Sequence, residues 1–110
     1  MNRFGKAWVR LSDKPKRGDP VEIRAMIIHP MESGFRLDNV GRPIARHIVD
    51  TFTCTYDGKE VFRAKLHPAM SANPYFVFYV VATRSADLLF TWIDDRGELA
   101  THSARLELTG

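Results

Sequence analysis

Apolar and polar positions along this chain recur with a period of two, and the helical period of 3.6 is absent. Residues 6–11 predict a short first strand. Pro15, Gly18 and Pro20 then form a turn cluster, where Gly18 can take positive φ and the prolines stop any helix. Val21-Glu22-Ile23-Arg24-Ala25-Met26 alternates apolar and charged, so it is a strand with one wet face, continued by Ile27-Ile28-His29 up to Pro30. Residues 30–43 are the longest irregular segment, with Gly34, Asp38-Asn39 and Gly41-Arg42-Pro43. A tight hairpin is expected there, with Phe35 and Leu37 as contact residues, and loops of this length are often functional.

From 47 to 56 the chain is rich in β-branched and aromatic residues, and Asp57-Gly58 follows. Both central residues of a type I′ turn need positive φ, so this dipeptide signals a hairpin whose return strand is 59–66. A two-residue loop places Cys54 opposite Val61. Residues 75–82 are apolar at both alternating positions: Tyr75, Val77, Tyr79 and Val81 on one face, Phe76, Phe78, Val80 and Ala82 on the other. Either a second layer covers both faces, or one of them meets another chain; the sequence does not choose between the faces. Residues 88–93 are the next strand, Asp94-Asp95-Arg96-Gly97 a turn, and 98–108 a last strand with Ala100, His102, Ala104, Leu106 and Leu108 on one face. The pattern predicts an all-β fold, an immunoglobulin-like antiparallel β-sandwich of about seven strands in one domain over residues 1–110, with Trp92 or Trp8 at its centre.

Composition narrows the function classes. A chain of 110 residues can bury roughly two thirds of its unfolded surface, so no metal or disulfide framework is required. Sixteen basic residues lie among thirteen acidic ones without a long basic run, which disfavours nucleic acid. With the single cysteine Cys54 an internal disulfide is excluded. The N-terminal residues lack an apolar stretch of signal-peptide length, and nothing approaches the roughly 20 apolar residues of a membrane helix. Composition alone therefore points to the cytoplasm.

The segment 66–76 concentrates the most specific local chemistry: His67-Pro68, then Asn73-Pro74, directly before the all-apolar strand. It echoes His29-Pro30. His29, His47, His67 and His102 show no paired ligand spacing, so a zinc site is not expected; His29 and His67 at one end of the sandwich is the arrangement that would favour one. Cys54 sits within a strand, where a free thiol is more often a packed apolar group than a nucleophile. Asp94-Asp95 reads as a hairpin turn rather than a cation site. Asp50, in an otherwise apolar strand, either pairs with an arginine or marks a wet face.

Several stretches together resemble the SoxZ family, the small subunit of the SoxYZ sulfur carrier of thiosulfate oxidation. They are Ile28-His29-Pro30-Met31-Glu32-Ser33-Gly34-x-Arg36-x-Asp38 and Gly41-x-Pro43-Ile44-x-Arg46-x-Ile48, then Phe52-Thr53-Cys54-Thr55-Tyr56-Asp57-Gly58-Lys59-Glu60-Val61-Phe62. Leu66-His67-Pro68-Ala69-x-Ser71-Ala72-Asn73-Pro74-Tyr75 and Phe90-Thr91-Trp92-x-Asp94-Asp95-x-Gly97 complete the set. One departure is Ala45, where the family usually has proline.

The resemblance implies an immunoglobulin-like sandwich that is not an enzyme, binds no cofactor or metal, and forms a heterodimer with SoxY. SoxY's cysteine arm, in a Gly-Gly-Cys-Gly-Gly setting, carries the sulfur intermediates; no such arm stands in this sequence. It further implies a periplasmic address by co-export with the signal-bearing partner, transient contacts with other Sox enzymes, and no nucleic acid or membrane. Tyr75, Phe76, Phe78 and Tyr79 are the expected pool of interface anchors, with His67, Asn73, Met31 and Arg46 on the flanking loops. Purified without its partner, the chain could form homodimers through the same exposed strand; the sequence does not decide whether it self-associates. The competing hypotheses are a sulfur-transfer enzyme using Cys54 and a free-standing binding module.

Overall fold

A computed structural model describes residues 6–12, 14–67 and 72–109. Seven strands run in chain order: β1 (Ala7–Leu11), β2 (Pro20–Ile27), β3 (Val49–Tyr56), β4 (Lys59–Lys65), β5 (Tyr75–Val81), β6 (Ala86–Asp94) and β7 (Leu99–Leu106). All neighbouring strands are antiparallel. They form two sheets, ordered β1-β2-β5 and β4-β3-β6-β7. This is the expected immunoglobulin-like sandwich; relative to the antibody constant domain, the fourth strand has moved to the opposite sheet.

The alternation read from the sequence becomes an inside and an outside. Val21, Ile23, Ala25 and Ile27 of β2 are fully buried, while Arg24 faces outward. Directly paired residues share a face. In β5 that puts Val80, Phe78 and Phe76, opposite Val21, Ile23 and Ala25, toward the core. Phe52 is the hub of that core: its ring stacks on Phe76 at 4.7 Å and lies 5.1 Å from Trp92. Trp92 fills the centre with no exposure, whereas Trp8 keeps 37% of its surface on the outer side.

Two local features shape the β3–β4 hairpin. Asp57 and Gly58 have φ of 52° and 80°, as the type I′ turn requires. The ladder then slips between Cys54 and Thr55, so Cys54 faces Phe62 rather than the expected Val61. Val61 is the extra residue of a β-bulge. An unbroken ladder would set Val61 and Arg63 opposite Cys54 and Phe52; the bulge puts Phe62 and Ala64 there instead. Phe62 consequently stacks on Phe78 at 4.2 Å.

Residues 30–46 form a two-limbed arm rather than regular strands, pinned by the bridges Glu32↔His47 and Leu37↔Pro43. Its tip is an Asx-type turn in which Asp38 Oδ1 accepts the N–H groups of Val40 and Arg42, both at 2.9 Å. Phe35 and Leu37, expected as contact residues, are 86% and 57% exposed.

Candidate interaction surface

The outer face of the three-stranded sheet gathers Trp8 from β1, Met26 from β2, and Tyr75, Val77, Tyr79 and Val81 from β5, with Ile28 just beyond β2. Cross-strand pairing builds it as rows, Trp8–Met26–Tyr75 in one and Arg10–Arg24–Val77 in the next. The rings of Trp8 and Tyr75 lie 5.9 Å apart, and the Arg10 guanidinium sits 5.8 Å from the Trp8 ring centre. At the far end Tyr79 donates its hydroxyl to Glu22 Oε2 at 2.9 Å, and Arg24 Nε donates to Glu22 Oε1 at 2.6 Å. The Arg24 and Tyr79 hydrogen bonds hold the Glu22 carboxyl below the usual carboxylate range. Glu22 in turn pushes the Tyr79 phenol up. Tyr79 remains 63% exposed and Val81 57%. The exposed apolar side chains of this face border a charged middle formed by Arg10, Arg24 and Glu22, and apolar groups rimmed by polar ones are the usual composition of an interaction surface.

The expected anchors divide cleanly. Tyr75 and Tyr79 stand on the outer face; Phe78 is buried in the core and Phe76 is packed against it. The phenylalanines thus hold the sheet in place without being available on its surface. What decides the face is β2, where charge at Glu22 and Arg24 marks the wet side, and pairing transmits that phase to β5. Read together, the two strands carry the signal that β5 alone lacks.

Among the flanking residues, Asn73 adopts φ 54°. Its Oδ1 accepts the His29 N–H at 2.9 Å and its own N–H donates to the His29 carbonyl at 2.7 Å. This pair of hydrogen bonds between loops fixes the entry to β5. Pro68 to Ser71, also part of that loop, lie outside the described residues, while His67 is exposed. Met31 is buried at φ 53°, with its sulfur 3.3 Å from the Val49 N–H. Arg46 is exposed at the base of the arm and donates from Nε to Asp95 Oδ2 at 3.0 Å.

Beside Arg46 lies a group the sequence did not reveal, since its members stand 47 positions apart. His47 Nε2 is 2.8 Å from Asp94 Oδ2. Asp94 Oδ1 accepts the N–H groups of Arg96 and Glu98 at 2.9 and 2.8 Å, the turn expected there. Burial works against the Asp94 charge, but the bonds from His47, Glu98 and Arg96 outweigh it and hold the carboxyl below its usual range. His47, Asp94 and Asp95 bring one ligand atom each within 4.8 Å of one another. Their carboxylate oxygens are already engaged, Asp95 by Arg46 and the Ile48 N–H. The trio therefore works as a clasp tying the arm to the β6–β7 turn. The buried His29 ring packs edge-on against His47 at 4.7 Å. Burial, then the neighbouring His47, lowers the His29 pKa.

Cys54 has no exposed surface, and burial pushes its thiol up to about 12. A thiol so placed is neither ionised near neutral pH nor reachable by a substrate. Asp50 accepts the Thr51 hydroxyl at 2.9 Å and is half-buried.

Among solved structures the fold is similar to superoxide reductase (neelaredoxin) from Ignicoccus hospitalis, with TM-score 0.73, 14% identity, and coverage of 96% of this chain and 82% of that one. A variant of the same reductase aligns with TM-score 0.74 at the same identity. At that identity the likeness concerns the fold alone. No curated protein matches the chain. The family model of the sulphur oxidation protein SoxZ matches residues 9–105, nearly the whole sequence, and the chain belongs to the SoxZ family.

Proposed function

We propose that this chain is the non-catalytic subunit of a heterodimeric sulfur carrier in thiosulfate oxidation, bound to SoxY through the outer face of its β1-β2-β5 sheet. SoxY supplies the cysteine arm that holds the sulfur intermediates, and this chain supports it and helps to dock the enzymes that act on them. In this role the chain reaches the periplasm by co-export with SoxY. The observation that carries the proposal is the uncovered apolar face itself: Trp8, Tyr75, Val77, Tyr79 and Val81 remain exposed in a chain of a Sox sulfur-oxidation family. Aromatic anchors of this kind supply most of the energy of a standard interface, which buries about 800 Å² per partner.

Titration of SoxY into the purified chain, followed by calorimetry and by heteronuclear NMR, tests this. A one-to-one complex is expected, with shifts concentrated on β1, β2 and β5. Absence of binding, or shifts confined to the opposite sheet, would sink it. The sulfur-transfer alternative has no support in the buried, un-ionised Cys54. Mass spectrometry after thiosulfate turnover separates the two, because a sulfur adduct on this chain rather than on SoxY would revive it.

A further inference from the structure

We infer that in the absence of other chains β5 pairs edge to edge with β5 of a second copy, antiparallel and centred on Phe78, joining two three-stranded sheets into one of six strands. The inference uses the backbone edge of β5, which lies in the plane of the sheet, and so differs from the docking of a partner on its face.

A sandwich has four outer strands, and exposed edges are normally blunted by charge, proline, bulges or a covering element. Here β1 and β7 lie against each other on one side of the sandwich. On the other side β4 is blunted by Lys59, Glu60, Arg63 and Lys65 and by the Val61 bulge. Its neighbour at that side, β5, reads Tyr75-Phe76-Val77-Phe78-Tyr79-Val80-Val81. It has no charge and no proline, and its register with β2 is unbroken. It is the terminal strand of its sheet.

The phase of its hydrogen bonds is fixed at both ends. Ala82 N–H donates to the Asp19 carbonyl at 2.9 Å, and the Pro74 carbonyl accepts Ile27 N–H at 3.3 Å. In an antiparallel ladder the N–H and C=O of one residue point the same way, and successive residues alternate. The even-numbered residues of β5 therefore bond to β2. Tyr75, Val77, Tyr79 and Val81 direct their N–H and C=O groups to the open edge.

Two-fold pairing about Phe78 matches these four residues with their own kind of edge. Tyr75 falls opposite Val81 of the second copy, and Val77 opposite Tyr79, each a hydrogen-bonded position. Every such pair sets an aromatic ring beside a β-branched side chain, a favourable cross-strand combination, and no like charges meet. The same strand against itself thus satisfies all eight outward-pointing backbone groups on each copy in one register.

Sedimentation of the purified chain over a dilution series, alongside amide hydrogen exchange, tests this with no partner present, so its result is independent of the proposed heterodimer. A monomer–dimer equilibrium is expected. With rising concentration the amides of Tyr75, Val77, Tyr79 and Val81 should become protected, while those of Phe76, Phe78 and Val80 are protected throughout. Val77→Pro removes one outward N–H without touching the β2 ladder, and should weaken self-association at least tenfold. A chain that stays monomeric at millimolar concentration overturns the inference. So does a dimer whose odd-numbered β5 amides still exchange freely, a readout on the unsubstituted chain that stands even if Val77→Pro fails to fold.

Discussion

Phe78 and Tyr79 are adjacent in sequence and opposite in consequence, which makes them a sharp pair of perturbations. Phe78 is 7% exposed and stacks on Phe62 at 4.2 Å with 8° between the rings. Replacing it with alanine leaves a cavity between the sheets at a cost of about 3–5 kcal/mol. Against a total stability of roughly 5–15 kcal/mol, that is a large share. At ~3–6 °C per kcal/mol for a domain of this size, Phe78→Ala should lower Tm by roughly 10–30 °C. Tyr79 is 63% exposed and its one hydrogen bond runs to Glu22 on the surface. Tyr79→Ala should therefore stay within about 1 kcal/mol of the parent stability. Its cost falls on assembly: an aromatic anchor of the docking face is worth about 2 kcal/mol, or roughly 30-fold in Kd for SoxY. Calorimetric melts of the free chain and titration with SoxY read the two quantities separately. If Tyr79→Ala melts many degrees lower, or binds SoxY with unchanged affinity, the assignment of faces to core and partner is wrong.

Further outcomes follow from other parts of the molecule. Cys54 should resist thiol reagents at pH 8 until the chain is unfolded, and rapid labelling of the native protein would contradict its burial. Stability should fall on acidification below about pH 6.5, because the unfolded chain then protonates His29 before the folded one does, and the lowered Asp94 pKa extends the loss below the ordinary carboxylate range. A His29→Gln variant should flatten the first part of that profile in urea titrations, and an unchanged profile would refute the assignment. Asn73→Ala loses the side-chain bond to His29 and forces alanine into positive φ, for about 1–3 kcal/mol. Asn73→Gly should recover the conformational part and not the bond, which denaturation midpoints can resolve.

Most of the sandwich is legible in the sequence because burial on one face imposes a period of two, and Asp57-Gly58 can satisfy only one kind of turn. The orientation of β5 is not legible from β5 itself, whose residues are apolar on both sides; it follows only once β2 is known to be its neighbour. Tyr75 and Tyr79 could thus be picked as candidates, but not separated from Phe76 and Phe78. The bulge at Val61 leaves no mark that a turn rule would detect, since it is driven by the preference for Phe62 over Arg63 inside. The His47–Asp94 clasp joins residues from distant parts of the chain, and no spacing rule reaches that far.

The Val61 bulge also makes the β3–β4 hairpin tolerant of a change in length. Phe62 and Ala64 face Cys54 and Phe52 across the bulge, and Lys59 and Glu60 face Tyr56 and Thr55 before it. Deleting Val61 would close the ladder into an uninterrupted one with these pairs retained, at the expense of local twist. Deleting Phe62 instead would leave Val61 opposite Cys54 and remove the ring that stacks on Phe78. Two neighbouring codons thus differ sharply in what their loss would do: one encodes a spacer, the other a core residue.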